Sequence, residues 1–287
     1  MSRFAYVDGR YIRHGDACVH IEDRGYQFAD AVYEVWSVFD GRLADTQGHL
    51  DRLDRSLKSL RINAPMSRAA LMVVLYEVIR RNRIKEGMVY LQVSRGVAAR
   101  DHFFPAGVKP TLVITARAVD REAAAVKARM GIKVITQPDI RWGRCDIKTV
   151  GLLPNVLAKQ AAKDAGASDV LFVDKDDFIT EGGSANAYIV DDAGVIRTRS
   201  LKSNILAGIT RAQLLKILKT TDIELREEAF TVAETLAARE VFITAATSLV
   251  MPVVEIDGHR IADGKPGPVA TSLREAYIQQ ATKTAGI

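Results

Sequence analysis

The chain has few cysteines and no long apolar run. Its 287 residues include two cysteines, Cys18 and Cys145, and five histidines. Two thiols are too few for a disulfide framework, and they lack the spacing and histidine partners of a zinc site. No uncharged apolar stretch reaches the roughly 18 residues that a membrane helix needs, and the amino-terminal residues lack the apolar region of a signal peptide. We therefore expect reduced thiols, a cytoplasmic location and no membrane partner.

The chain also lacks a strong excess of charge of either sign. Lys and Arg number 40 and Asp and Glu 35, which gives a net charge of +5, and the cations are spread along the whole sequence. They form no basic arm or aromatic-interleaved stripe, so nucleic acid is not expected as a partner. The 26 Arg outnumber the 14 Lys, which favours recognition of phosphate or carboxylate groups. The acidic clusters at 174–177 and 191–192 lack calcium-loop spacing, so we interpret both as turns and predict no metal site.

Composition and hydrophobic periodicity predict an α/β protein (mixed α+β) with two lobes. Hydrophobic residues make up 48% and charged residues 26% of the chain, as in globular proteins with a sizeable core, and the length suits about two domains. We predict a small amino-terminal domain over 1–118, a linker over 119–129, and a larger carboxy-terminal domain over 130–287 that carries Lys148. A ligand cleft is expected between the lobes, where pockets commonly form.

Short apolar runs and the helical spacing of leucines define the predicted elements. In the first domain they are strands over 4–7, 10–12, 31–39, 88–94 and 111–116 and helices over 50–60 and 67–83. In the second they are strands over 132–136, 170–173, 187–190 and 195–198 and helices over 153–165, 210–218, 231–239 and 269–280. Residues 241–254 are predicted as a strand that runs into a loop.

One lysine stands out for its surroundings. Lys148 follows Arg141 and Arg144 and enters a mainly apolar run. An amine that is desolvated beside cations has a depressed pKa and is nucleophilic enough to form an imine with a carbonyl compound. The alternative is a lysine at a strand end whose amine reaches out to water.

A phosphate site is indicated where Gly208, Ile209 and Thr210 lead into an amphipathic helix. A glycine allows close backbone approach, a helix amino terminus presents free N–H groups, and the Thr210 hydroxyl adds a donor, so an anion suits this position. The alternative is a threonine that only caps the helix. Arg52 would add a bidentate contact to the same phosphate, or else lies solvated on its helix.

Two further positions suit the recognition of charged groups. Glu181 lies in a predicted Gly-flanked loop, where a carboxylate can pair with a protonated ring nitrogen; the alternative is a glutamate exposed in a turn. Arg100 and His102 are two residues apart in a predicted extended loop, so their side chains point the same way and suit a carboxylate. Asp101 between them would then point elsewhere. The alternative for this segment is an ordinary exposed loop.

These motifs together, in this order along the chain, closely resemble the bacterial D-amino-acid transaminases, which are class IV, fold-type IV aminotransferases that use pyridoxal 5′-phosphate. The resemblance covers nearly the whole chain, and the run that ends at Lys148 is its most specific part. The segments that carry it are 22–34, 49–53, 100–102, 144–148, 180–182, 208–210 and 252–258.

The resemblance implies a role for each matching residue toward the cofactor. Lys148 is the Schiff-base lysine and moves the proton between the substrate α-carbon and cofactor C4′, while Glu181 keeps the pyridine nitrogen protonated. Leu206 packs on the ring face. The implied phosphate contacts are Arg52, the backbone N–H of Ile209 and Thr210.

The resemblance also implies a substrate site and a homodimer with active sites near its interface. Tyr33 flanks both cofactor and substrate, and Tyr90 contributes to the trap for the α-carboxylate. Arg100 and His102 complete this trap by reaching in from the neighbouring subunit. Amino acids and 2-oxo acids are then the small-molecule partners.

The chain departs from the family pattern at two places. Gly183, Ser184 and Ala185 stand where the family has a run of serines, so Ser184 alone keeps a hydroxyl for the cofactor. Ala246 replaces a phosphate-binding threonine, which leaves its backbone N–H or the hydroxyl of Thr247 as the contact. We expect the cofactor to bind through a phosphate network that relies on Arg52 and Thr210.

The function implied is ping-pong transfer of the amino group from a D-amino acid such as D-alanine to 2-oxoglutarate or another 2-oxo acid. The pair of Arg100 and His102 favours this interpretation over a branched-chain L-amino-acid aminotransferase. An aminodeoxychorismate lyase on the same scaffold is a second alternative. A basic, non-enzymatic protein that binds polyanions is the third.

Overall fold

The computed structural model describes residues 3–202 and 204–284, which form two compact units. The first unit comprises 3–120, 147–151 and 281–284, and the second comprises the remaining described residues. Helices and strands occur in both units, which confirms the predicted α/β class. Within the described ranges, no helix is long and apolar enough to cross a membrane.

The first unit is built on an antiparallel sheet whose strands follow the order β2-β1-β6-β5-β3-β4. Its helices include a short 3₁₀ turn at His14–Asp16. The strands are β1 (Phe4–Val7), β2 (Arg10–Arg13), β3 (Ala31–Phe39), β4 (Arg42–Leu43), β5 (Gly87–Ser94) and β6 (Thr111–Ala118), and the α-helices are α1 (Arg24–Phe28), α2 (Thr46–Leu60) and α3 (Arg68–Asn82).

The core of the first unit lies between this sheet and helices α2 and α3. Trp36, Leu91 and Ile114 are fully buried on the central strands. The helices contribute the apolar positions that their leucine spacing predicts, namely Leu50, Leu53 and Leu57 from α2 and Leu71, Leu75 and Val78 from α3. Helix α3 begins where Ser67 caps it, since the Ser67 side chain accepts a hydrogen bond from the Ala70 N–H.

The second unit contains a larger mixed sheet in the order β12-β11-β10-β13-β14-β7-β8-β9, with β15 beside β14. Its strands are β7 (Ile132–Pro138), β8 (Asp169–Val173), β9 (Ile179–Gly182), β10 (Asn186–Val190), β11 (Ile196–Thr198), β12 (Leu225–Arg226), β13 (Glu240–Ala245), β14 (Leu249–Ile256) and β15 (His259–Arg260). Its helices are α4 (Arg121–Met130), α5 (Leu153–Asp164), α6 (Ile209–Leu218), α7 (Val232–Ala237) and α8 (Pro268–Thr284), of which α8 belongs to this unit up to Gln280.

Two features differ from the predicted domain organisation. Most of the predicted linker 119–129 is helix α4. Its repeated alanines have high helix propensity, and its acidic first turn and basic last turn suit the helix dipole. The segment with Lys148 belongs to the first unit instead of the second, because the Tyr33 N–H donates to the Lys148 carbonyl and the Val150 N–H to the Ala31 carbonyl.

The predicted strand and loop over 241–254 is instead a hairpin of β13 and β14. Ile243 pairs with Met251 across it. Thr247 and Ser248, which interrupt the apolar run in the sequence, lie at the turn, and Leu249 begins β14 with a φ of 59°. These polar residues therefore mark the reversal of the chain and not the end of regular structure.

Helix α1 ends at an alanine in the left-handed region. Ala29 has φ 55° and ψ 25°, and its N–H donates to the Arg24 carbonyl. This conformation costs an L-residue about 1–2 kcal/mol, a cost that glycine avoids. We expect Ala29→Gly to raise the free energy of unfolding by up to about 1 kcal/mol in urea titrations. Ala161→Gly inside helix α5 is the control and should lower it by about 1 kcal/mol. Equal losses in both variants would contradict strain at Ala29.

Candidate active site

Lys148 lies beside a pair of tyrosines in the first unit. Its Nζ is 4.1 Å from the centroid of the Tyr33 ring, and that ring stacks on Tyr90 with centroids 5.7 Å apart. The Lys148 N–H donates to Ser56 Oγ at 3.4 Å, so the backbone is held on both sides. The Tyr33 ring attracts the half-buried ammonium group through its π face. Burial raises the pKa of Tyr90 to about 12, and its phenol donates to Gln92 Oε1 at 2.8 Å.

Helix α2 and strand β3 enclose a buried ion pair. Glu34 accepts hydrogen bonds from Arg52 Nε at 2.7 Å and Nη2 at 2.8 Å, and His49 Nδ1 lies 2.7 Å from Glu34 Oε2. Although burial opposes its charge, the charge and hydrogen bonds of Arg52, with the His49 contact, lower the pKa of Glu34 to about 2. Burial lowers the pKa of His49. Arg52 is only 4% exposed, so the solvated alternative was wrong, and its phosphate role stays a prediction.

Sequence reasoning did not single out Glu34, although a signal was present. It is a lone charged residue in the otherwise apolar run 31–39 that became β3. Buried charges are normally paired with an opposite charge. An isolated carboxylate inside such a strand therefore indicates a buried cationic partner. In the structure this partner is Arg52 of helix α2.

Arg100 and His102 lie in an exposed loop and meet at one aromatic ring. The guanidinium carbon of Arg100 is 4.7 Å from the centroid of the Phe28 ring, and the His102 and Phe28 ring centroids are 5.5 Å apart. Asp101 Oδ1 accepts a hydrogen bond from the Phe103 N–H, so the carboxylate turns back to its own loop. The structure thus brings the arginine and histidine together, and their role toward substrate stays a prediction.

Glu181 lies on strand β9 of the second unit and is 5% exposed, so its placement in a loop was wrong. Strand β9 pairs with β8, and Leu171 of β8 and Ile179 of β9 belong to the hydrophobic core of the second unit. Glu181 Oε1 accepts hydrogen bonds from Asn186 Nδ2 at 2.8 Å and the Leu206 N–H at 3.0 Å. Glu181 and Leu206, two residues with predicted cofactor roles, are therefore in direct contact.

Arg141 completes the surroundings of Glu181 and was not among the predicted site residues. Its Nη1 donates to Glu181 Oε2 at 2.5 Å, and its Nε and Nη2 donate to Asp139 at 2.9 and 2.7 Å. Burial opposes its charge, but the hydrogen bonds and charges of both carboxylates raise the pKa of Arg141. Arg141 thus forms ion pairs with two carboxylates at once and can offset the charge of only one of them.

Thr210 is a buried residue in the first turn of helix α6. The helix begins at Ile209, and Gly208 is its N-cap without a side-chain capping bond, so Thr210 is not the cap. Thr210 Oγ1 is buried and has no hydrogen-bond partner in the described part of the chain. A buried hydroxyl without a partner is costly. This hydroxyl and the adjacent helix amino terminus are suited to a bound anion.

The remaining predicted contacts lie in turns of the second unit. Ser184 and Thr247 are exposed, and Ala246 is half-buried. Steric crowding explains why glycine stands at position 183. A Cβ there would lie 2.6 Å from both Asp169 Oδ1 and Lys159 Cδ. These two side chains form an ion pair at 2.9 Å. A serine at position 183 would displace that pair.

Gly208 leaves space for the amide that holds Glu181. A Cβ at this position would overlap Asn186 Oδ1, and Asn186 Nδ2 also donates to the Leu206 carbonyl. The φ of −66° at Gly208 suits alanine, so only the overlap opposes substitution. We expect Gly208→Ala to lower the free energy of unfolding by about 1–3 kcal/mol in urea titrations. Gly143→Ala, where a Cβ meets nothing within 4 Å, should leave it unchanged. Equal values for both variants would contradict the overlap.

The buried charge of Glu34 makes stability depend on pH. Its pKa is about 2 in the folded chain against 4.5 as the ordinary value, so its contribution is present above about pH 4.5 and is lost as pH falls toward 2. Glu34→Gln should lower the unfolding free energy at pH 7 by about 3 kcal/mol, because Arg52 loses its counter-charge. The difference from the unsubstituted protein should shrink between pH 4.5 and 2 in urea titrations. A constant difference would show that Glu34 is not ionised.

Comparisons with known proteins identify the family of this chain. The family model for amino-transferase class IV matches residues 31–256. A D-alanine aminotransferase of Bacillus licheniformis is 39% identical over 281 residues, covering 96% of this chain and 98% of that protein. One from Staphylococcus haemolyticus is 38% identical over 273 residues and 95% of each chain.

Solved structures show the same fold. A branched-chain amino acid aminotransferase of Escherichia coli superimposes with a TM-score of 0.90 at 25% identity, covering 99% of this chain and 96% of that one. A T.th. branched-chain amino acid aminotransferase with pyridoxamine 5′-phosphate gives 0.90 at 26% identity, covering 99% and 95%. The family that the sequence motifs indicated is thus confirmed. This chain is a transaminase that belongs to the class IV aminotransferases.

Proposed function

We propose that this transaminase takes the amino group from a D-amino acid such as D-alanine and gives it to 2-oxoglutarate or another 2-oxo acid, with pyridoxal 5′-phosphate as cofactor. The observation that carries the substrate class is the meeting of Arg100 and His102 at the Phe28 ring. A guanidinium and an imidazole that contact the same aromatic ring suit the recognition of a carboxylate. The likeness to D-alanine aminotransferases over nearly the full chain supports the same substrate class.

The residues present fit pyridoxal 5′-phosphate in three chemical respects. Lys148 supplies an amine for an aldehyde, Glu181 a buried carboxylate for a protonated ring nitrogen, and Thr210 an unpartnered buried hydroxyl at a helix amino terminus for a phosphate. When bound, the cofactor supplies an electron sink for the pair of electrons left on the substrate α-carbon.

Lys148 has two tasks in this proposal. Its Nζ would attach the cofactor between turnovers and would take up and return the proton of the substrate α-carbon. The Tyr33 ring below Nζ restricts where the amine can move. Tyr90, whose pKa is raised to about 12, keeps its proton throughout. Its hydroxyl would turn from Gln92 Oε1, which accepts its hydrogen bond in this structure, to donate to the substrate carboxylate.

Glu181 would keep the ring nitrogen of the bound cofactor protonated. Three donors, from Asn186, Leu206 and Arg141, hold its carboxylate in place. Asp139 offsets the charge of Arg141, so the cluster retains a net negative charge for a cationic N–H group. Leu206 would pack on the ring face. The proposed phosphate contacts are Arg52, the Ile209 N–H and Thr210, with Ser184, Ala246 and Thr247 as further contacts.

The enzyme is proposed to act as a homodimer in which Arg100 and His102 serve the partner subunit's active site. Phe103, next to His102 in the sequence, is 82% exposed. Ile21 and Tyr26 are each 77% exposed, in a segment whose Glu22 carbonyl accepts a hydrogen bond from the Ala98 N–H. Exposed apolar groups of this size are typical of interaction surfaces. We place the reaction in the cytoplasm, since Cys18 and Cys145 are both free thiols.

The substrate class is tested by half-reactions of the enzyme loaded with cofactor. D-alanine should bleach its visible absorption band, and 2-oxoglutarate should restore it, whereas L-leucine should leave the band unchanged. Bleaching by L-leucine and not by D-alanine would replace this proposal with a branched-chain L-amino-acid aminotransferase. Release of pyruvate from aminodeoxychorismate without a 2-oxo acid would support a lyase instead.

The attachment lysine is tested by Lys148→Ala, which should abolish the visible band of lysine-bound cofactor. The variant should still fold, because the lysine side chain is only half-buried, and its urea midpoint should stay close to the original. Lys175→Ala, which removes an exposed lysine whose Nζ lies 3.2 Å from Asp176 Oδ1, is the matched control and should keep the band. An unchanged band in the Lys148 variant would place the attachment at another lysine.

A further inference from the structure

A buried ion-pair cluster lies next to the loop that carries Arg100 and His102. Asp30 accepts a hydrogen bond from Arg24 Nε at 2.8 Å and a bidentate pair from Arg95, whose Nε and Nη2 lie at 2.7 and 2.9 Å. Arg24 is 3% and Arg95 7% exposed. Burial opposes the charge of Asp30, but the hydrogen bonds and charges of both arginines lower its pKa. The cluster is therefore a fixed, ionised point in the first unit.

Arg24 extends from this cluster to the loop. Its Nη1 donates to the Asp101 carbonyl at 2.6 Å, which fixes the backbone between Arg100 and His102. A second hydrogen bond, from the Arg24 N–H to the Gly96 carbonyl at 2.9 Å, holds the start of helix α1 against the residues that precede the loop. The loop is thus anchored on one side, although its own side chains are exposed.

Phe28 is the point where the anchor and the exposed side chains meet. Its ring lies 4.8 Å from the guanidinium carbon of Arg24 and 4.7 Å from that of Arg100. The His102 ring is tilted by 56° to it, with centroids 5.5 Å apart. One ring therefore contacts the anchoring arginine and both side chains that are proposed to bind the substrate carboxylate.

The physical effect of such a ring is preorganisation. A long arginine side chain on an exposed loop has many rotamers, and ordering them on substrate binding costs affinity. A guanidinium held against an aromatic face is restricted before substrate arrives. Because the Asp101 carboxylate is turned back to its own loop, the Phe28 ring sets the direction of the Arg100 side chain.

We propose that Phe28 is a positioning residue that holds Arg100 and His102 in the direction in which they bind the substrate carboxylate, with Arg24 as its anchor. This rests on the proposed function, in which these two residues form the carboxylate site. Phe28 acts through them and does not itself touch the substrate.

The test is Phe28→Leu in the enzyme loaded with cofactor. Leucine keeps an apolar side chain but removes the π face, so KM for D-alanine should rise about tenfold while kcat changes less than about twofold. The visible band of the cofactor and the urea midpoint should not change. Phe28→Tyr restores the ring and should return KM close to its original value.

Phe4→Leu is the matched control. Phe4 is also half-buried in the first unit and lies under a guanidinium, that of Arg81 at 5.9 Å, so its ring faces a different arginine from the one that Phe28 holds. The same substitution there should leave KM unchanged. A rise of about tenfold in this variant as well would overturn the proposal, because it would show a general loss of packing.

Arg100→Ala separates the failure of this inference from failure of the proposed function. It should raise KM more than Phe28→Leu does, and Phe28→Leu should raise KM less in the Arg100→Ala background than in the unsubstituted enzyme, since the ring then holds only His102. If Arg100→Ala raises KM and Phe28→Leu does not, only the positioning role is overturned. If Arg100→Ala leaves KM unchanged, the carboxylate site and the positioning role both fail. A fall in the urea midpoint of Phe28→Leu that accompanies the KM change would assign Phe28 a structural role and overturn the proposal.

Discussion

Bidentate pairing of arginine with a buried carboxylate is the interaction on which the local order of both units depends. Glu34 with Arg52 and Asp30 with Arg95 serve the first unit, and Asp139 with Arg141 the second. Two parallel N–H bonds fix both the distance and the plane of a guanidinium. Lysine cannot provide this geometry. The arginine-rich composition therefore reflects internal scaffolding as well as ligand recognition.

The arrangement around Lys148 shows how a strand edge positions a functional side chain. Strand β4 pairs only with Val38 and Phe39 of β3, which leaves the start of β3 without a neighbour on that side. Residues 147–151 occupy this edge, and Val32 forms a bridge with Thr149. Backbone hydrogen bonds thus bracket Lys148, and its Nζ lies 4.1 Å from the centroid of the Tyr33 ring.

Sequence patterns predicted the long elements well and the polar contacts poorly. Helix α3 was expected over 67–83 and spans Arg68–Asn82, since its periodicity and its capping serine are local signals. The family motifs also singled out Lys148, Glu181 and Thr210, whose roles toward the cofactor stay predictions. Arg141 and Glu181, in contrast, are 40 positions apart, and no local pattern encodes such a pairing. The helix within 119–129 was missed because its solvated charges and alanines give a weak apolar face.

The path of the chain has a consequence for how this protein can be divided. The backbone leaves the first unit near residue 120, returns for residues 147–151, leaves again and comes back at 281. A gene fragment that ends at residue 120 would encode β3 without the segment that covers its edge, and an uncovered strand edge invites aggregation. A fragment that begins there would carry Lys148 without the strand that orients it. A single cut of the chain near residue 120 would therefore separate the lysine from the strand that supports it.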